Sequence, residues 1–123
     1  MSLRQGKSVT DEIGRNSYKY YKYRVSNENT SRLEFKLSPL TGDSNLYVTR
    51  NSTKANIENY EKRSEKSIAL MDMITYDKGK DGDSLEGTYH ISVYGVLQST
   101  FSLVASETTP GQNNTITLLP GKA

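Results

Sequence analysis

The sequence predicts an antiparallel β-sandwich, and three observations carry that expectation. Apolar residues recur at every second position through much of the chain, the period of a half-buried strand. Turn-forming clusters separate these runs at intervals of about ten residues. The chain has 123 residues, of which only 33% are hydrophobic. That suits one thin two-layer core better than a parallel sheet, whose strands read as continuous apolar runs.

The elements follow in order. In "SYKYYKYRV" (17–25), Tyr21, Tyr23 and Val25 share one face, Tyr20, Lys22 and Arg24 share the other, and Tyr18 falls at the strand entry. "NENTS" (27–31) is a turn. "RLEFKLSPL" then places Leu33, Phe35 and Leu37 inward and Arg32, Glu34 and Lys36 outward, and Pro39 with "TGD" (41–43) ends the strand. Leu46 and Val48 follow inward, with Tyr47 outward. Residues 51–66 are a polar excursion with a helical turn around 55–60. "SIALMDMITY" (67–76) resumes the alternation with Ile68, Leu70, Ile74 and Tyr76, and Asp72 interrupts it, pointing to a bulge or two short strands. "DKGKDGD" (77–83) is a turn-rich loop. Tyr89, Ile91 and Val93 point inward and His90, Ser92 and Tyr94 outward, and Phe101 and Leu103 line the next strand. "TITLLPGKA" is one more short strand.

"SLRQGKS" (2–8) resembles "TLLPGKA" (117–123) at an offset of 115 residues. The expected division is therefore a sandwich over 1–108, then a linker over 109–123 that holds a candidate first strand of a following, tandem repeat.

Composition narrows the function. The net charge is +2, with +4 in residues 1–25, balance in 26–65 and −2 in 66–123. That is too little to imply nucleic acid. There is no cysteine, which removes disulfides, thiolate catalysis and Cys-ligated metals. No apolar run approaches the ~20 residues of a membrane helix, and no signal peptide is legible, so membrane insertion is not expected. His90 is the single histidine, and it alternates away from the core. No nucleophile elbow is present. The domain is expected not to be an enzyme.

Three surfaces remain as candidates. Exposed Tyr20, Tyr47 and Tyr94, with Lys22 and Arg24 on the same outward parity as Tyr20, could form a platform for a protein or polysaccharide surface. Tyrosine offers flat area and one hydroxyl at low entropic cost. Asp77, Asp81 and Asp83 supply the oxygens that calcium needs. Counted from Asp77, however, an EF-hand loop would place Gly79 third and Thr88 twelfth, and Lys78 and Lys80 oppose a cation. Asn29-Thr30-Ser31, Asn51-Ser52-Thr53 and Asn113-Asn114-Thr115 fit the glycosylation acceptor pattern.

The ordered set Tyr20, Tyr21, Tyr23, Val25; Gly42, Asp43, Leu46, Tyr47, Val48; Gly87, Tyr89, Val93, Tyr94, Gly95; Phe101, Leu103 resembles the bacterial pre-peptidase C-terminal domain family, which is related to the collagen-binding modules of clostridial collagenases. The resemblance covers about residues 2–106. It implies a jelly-roll-like sandwich of eight or nine strands. It implies a non-catalytic accessory module of a secreted or cell-surface protein, serving adhesion, substrate targeting or spacing, with adjacent domains of the same chain as further partners. A calcium-responsive domain that stabilises a neighbouring protease is the alternative. Two departures stand out. Lys19 sits where calcium-binding relatives keep an acid before Tyr-Tyr, and the outward face of the Val-Tyr strand reads Ser92, Tyr94, Val96.

Overall fold

Alternation along each strand dictates two layers, and the computed structural model shows how they are joined. It describes residues 2–50, 56, 60–65 and 71–110. Eight strands run in the order β1 (Val9–Ile13), β2 (Tyr18–Val25), β3 (Arg32–Thr41), β4 (Ser44–Thr49), β5 (Lys62–Ser64), β6 (Asp72–Asp77), β7 (Gly87–Gly95) and β8 (Ser99–Thr108). They form two four-stranded sheets, β1-β8-β3-β6 and β2-β7-β4-β5. All pairings are antiparallel, and β1 pairs with β8, β2 with β7, β3 with β6 and β4 with β5. First pairs with last, second with next to last: the chain is one long hairpin rolled up, the jelly-roll arrangement.

The inner faces are the predicted ones. Tyr21, Tyr23, Val25, Leu33, Phe35, Leu37, Leu46, Val48, Ile74, Tyr76, Tyr89, Ile91, Val93, Phe101 and Leu103 are all buried. Phe35 lies at the centre of an aromatic cluster, with its ring centroid 6.1 Å from Tyr23, 6.5 Å from Tyr76 and 5.8 Å from Tyr89. The edge-to-face pairs with Tyr23 and Tyr76 each add about 0.5–1.5 kcal/mol beyond the area buried.

Three features differ from the sequence expectation. Pro39 does not end β3. The strand runs on to Thr41 through a bulge between Pro39 and Thr41, opposite Phe101 and Thr100, where a missing N–H is tolerated. Asp72 neither bulges nor splits a strand. It opens β6 in regular register opposite Leu37, and its buried carboxylate accepts a hydrogen bond from the Ser64 hydroxyl at 2.8 Å. Two strands, β1 and β5, were not anticipated. Ile68, Leu70, most of the expected helical turn at 55–60, the expected strand in 115–123 and the sequons at Asn51 and Asn113 lie outside the described residues.

Candidate functional site

The outer face of the β2-β7-β4-β5 sheet collects the candidate binding residues, because even-numbered β2 and β7 residues share its parity. Tyr18 pairs with Tyr94, Tyr20 with Ser92, Lys22 with His90 and Arg24 with Thr88. On the other side of β7, Asn45 pairs with Tyr94, Tyr47 with Ser92 and Thr49 with His90. The strands of Tyr20, Tyr47 and Tyr94 are thus neighbours, as the platform required. Neighbouring strands are about 4.8 Å apart, so Tyr20 and Tyr47 flank Ser92 at roughly 10 Å.

Three rings gather at one end of this face. Tyr18 stacks on Tyr20 with centroids 5.9 Å apart and planes within 9°. Tyr18 also meets Tyr94 at 4.8 Å with a tilt of 48°. The Tyr94 hydroxyl donates to Asn16 Oδ1 at 2.9 Å, which fixes that ring. Asn16 itself has φ 60°, a left-handed conformation that asparagine tolerates in a turn. Tyr20 is 39% exposed. Lys22 and Arg24 continue the row along β2, both exposed, and Arg24 Nη1 donates to Thr88 Oγ1 at 3.3 Å.

Tyr47 has to be corrected as a surface residue. It does point away from the core, but its exposure is 0%. Tyr60 lies over it with ring centroids 5.8 Å apart, and the Tyr47 hydroxyl donates to Glu65 Oε2 at 2.5 Å. Burial, then the carboxylate of Glu65, push its phenol well above the usual tyrosine range. The aromatic surface on the β4 side is instead Tyr60, 36% exposed, with the Arg63 guanidinium 5.2 Å from its ring centroid. Tyr18 and Tyr60 are therefore members of the face outside the expected platform of Tyr20, Tyr47 and Tyr94. Parity with Tyr20 was a signal for Tyr18. Nothing local marked Tyr60, because its place over Tyr47 is a contact between residues far apart in sequence.

The acidic loop is arranged differently. Arg32 Nε is 2.8 Å from Asp77 Oδ1. Asp81 Oδ1 is 2.9 Å from Lys62 Nζ, and its Oδ2 accepts the Asp77 N–H at 2.7 Å. Burial pulls the Asp81 carboxyl upward, but the Asp77 N–H and the Lys62 ammonium more than offset this and hold it below its ordinary value. Asp83 is exposed. The carboxylates of Asp77 and Asp81 thus face lysine and arginine rather than one another. Among the described residues no group of three His, Cys, Asp or Glu is placed to hold a metal ion.

Lys19, the departure before Tyr-Tyr, has a partner across the layers. Its ammonium is 2.7 Å from Asp11 Oδ1, and the Tyr21 hydroxyl donates to Asp11 Oδ2 at 2.8 Å.

No protein-family model matches the sequence, and neither does any curated protein. Among solved structures, the chain is similar to the pre-peptidase C-terminal domain of collagenase from Bacillus anthracis, with a TM-score of 0.57 and 13% sequence identity over 86% of this chain and 91% of that one. At that identity the likeness establishes the fold: this is a β-sandwich of the kind seen in a pre-peptidase C-terminal domain.

Proposed function

We propose that this domain is a non-catalytic accessory module that attaches a secreted or cell-surface host to an extended polymer, polysaccharide or fibrous protein, through the tyrosine face of the β2-β7-β4-β5 sheet. One observation carries the reading. Tyr18, Tyr20 and Tyr94 are held together on an outer sheet face beside exposed Lys22 and Arg24. A flat sheet bearing rings in contact suits a long, flat ligand rather than a small molecule in a cleft. The likeness to an accessory domain of a collagenase supports the same class of function and a protease as host.

Retention on insoluble polysaccharides and fibrous proteins tests this. Tyr20 and Tyr94 are each expected to contribute about 1 kcal/mol. The Tyr20→Ala, Tyr94→Ala double variant should then bind roughly 30-fold more weakly while keeping the dichroism of the native strands, with a lowered melting temperature because Tyr94 also packs on Tyr18 and donates to Asn16. Unchanged retention of that variant would sink the tyrosine face, and no retention of the native domain on any polymer would sink the attachment function.

The calcium-responsive alternative draws on Asp77, Asp81 and Asp83. The pairing of Asp77 with Arg32 and Asp81 with Lys62 opposes it. We expect the melting temperature to be the same in millimolar calcium and in chelator. A rise with calcium, by mass action, would restore that alternative.

A further inference from the structure

The cations of this chain fall into two groups. Arg32, Lys36, Arg50, Lys62 and Arg63 each lie within 4.0 Å of an Asp or Glu oxygen. Arg4, Lys7, Arg15, Lys22 and Arg24 are exposed, and none of them forms an ion pair among the described residues. Acids are segregated the other way. The four strands of the tyrosine-bearing sheet contain no Asp or Glu, whereas each strand of the opposite sheet contains at least one. Glu65, just beyond β5, is engaged by Arg63 and the Tyr47 hydroxyl. The tyrosine face therefore carries charge of one sign, which attracts an anionic partner.

The unpaired cations gather along β2 and its edge. Ser2 bridges to Lys22 in parallel, and the Leu3 N–H donates to the Lys22 carbonyl at 2.7 Å. Leu3 turns into the core, so its neighbour Ser2 shares the outward side of Lys22. Ser2, Arg4, Lys7, Ser8 and Val9 then line an open groove of about 230 Å³. A turn links its two cations, the Lys7 N–H donating to the Arg4 carbonyl at 3.1 Å. Glu107, the acid whose backbone N–H is held by Gln5, directs its carboxylate to Tyr23 and Thr30 and leaves Arg4 and Lys7 unneutralised. At the far end of the rings, Arg15 adjoins Asn16, which holds Tyr94.

Small-molecule pockets usually exceed about 300 Å³. This groove is smaller, and suits a charged substituent projecting from a longer chain. Arginine can grip a planar carboxylate or a sulfate oxygen pair through two N–H groups. The rings favour a sugar chain over a nucleic acid. Single-stranded nucleic acid stacks successive bases on separate rings, but Tyr18 lies against both Tyr20 and Tyr94, so the three form one continuous apolar patch.

We infer that the polymer taken by this face is an acidic polysaccharide. Its sugar rings lie along Tyr18, Tyr20 and Tyr94, and its sulfate or carboxylate groups meet Lys22, Arg24 and the Arg4/Lys7 groove. The inference rests on the attachment function proposed above and specifies its ligand.

Retention of the whole chain on dextran sulfate, polygalacturonate and uncharged dextran tests this, and the first two distinguish sulfate from carboxylate. Binding to at least one charged polymer is expected, weakening about tenfold or more as salt rises to about 0.5 M. Arg4→Gln with Lys7→Gln should weaken it about fivefold without moving the melting temperature, because both side chains are exposed and unpaired. Lys78→Gln with Lys80→Gln removes the same charge from the acidic 77–83 loop and should leave binding unchanged. Equal losses in the two double variants would mean attraction to net charge alone and overturn the inference. Tighter binding to single-stranded DNA or to anionic vesicles than to either charged polysaccharide would overturn it too. Retention on dextran or a fibrous protein without retention on the charged polymers would overturn it and leave the attachment function standing. No retention on any polymer would overturn both.

Discussion

At Gly42 the backbone adopts φ 75°, and a Cβ built there would lie 2.2 Å from the Gln98 carbonyl oxygen. Strain and collision therefore act together, and Gly42→Ala should destabilise by about 2–4 kcal/mol. Gly79 isolates the first effect, because its φ is 92° but a Cβ there would meet nothing within 4 Å. Gly79→Ala should cost about 1 kcal/mol. Denaturant midpoints of the two variants check the difference, and equal losses would show that the close approach at Gln98 does not matter. Both glycines stand out in the sequence as turn signals. Only Gly42 is pinned by a distant segment, and no local pattern distinguishes them. Tyr47 teaches the same lesson about sites. Its side of the sheet follows from parity, whereas its burial depends on Tyr60.

Among the elements, Arg50 just after β4 and Glu61 just before β5 are joined by a clamp. Arg50 donates to Glu61 through Nε at 2.9 Å and Nη2 at 3.1 Å, and the Tyr76 hydroxyl donates to Glu61 Oε1 at 2.9 Å. Burial raises the Glu61 carboxyl, but the bonds from Arg50 and Tyr76 outweigh it, and the group ends below its ordinary value. A lowered folded-state value means stability that is present above the unfolded value of about 4.3 and is lost as pH falls through the folded value. The melting temperature should therefore drop as acid is added below about pH 4. Glu61→Gln should remove about 1 kcal/mol at neutral pH and flatten the acid slope, and an unchanged slope would refute the clamp. The strands on either side differ in how well the sequence marks them. β3 and β7 alternate cleanly. β1 was missed because Asp11 occupies the inward position between Val9 and Ile13. There it accepts hydrogen bonds from Lys19 Nζ and the Tyr21 hydroxyl. A charged residue breaks the apolar pattern, and only its partners on another strand justify it.

Across the whole molecule, tyrosine builds much of a thin core. Tyr21 donates to Asp11, Tyr23 to Glu107, Tyr47 to Glu65, Tyr76 to Glu61 and Tyr89 to the Leu85 carbonyl. Four of these rings lie between the sheets with their hydroxyls reaching a partner, and Tyr47 lies on the outer face beneath Tyr60, so few buried polar groups go unpaired. Burial raises all five phenols, and the neighbouring carboxylates raise the first four further. A raised folded-state value gives stability that is fully present below the unfolded value of about 10 and is lost as pH rises toward the folded value. Of the nine tyrosines, these five should ionise only as the fold is lost. Alkaline titration should show a late step in tyrosinate absorbance that coincides with loss of the circular dichroism of the strands. Complete ionisation with the dichroism intact would contradict this.

The sequence by itself determined which side of β2, β3, β4, β6, β7 and β8 faces the core, because side-chain direction alternates with a fixed period of two and needs no knowledge of the rest of the chain. It also determined the poverty of catalytic groups. Tertiary structure alone decided which outward residues remain at the surface, and which acids are spent on cations. Tyr47 is covered by Tyr60, Asp77 by Arg32 and Asp81 by Lys62. Each of those partners comes from a different strand or loop, and exposure and charge pairing are properties of what lies opposite a residue rather than of the residue's own neighbours in sequence.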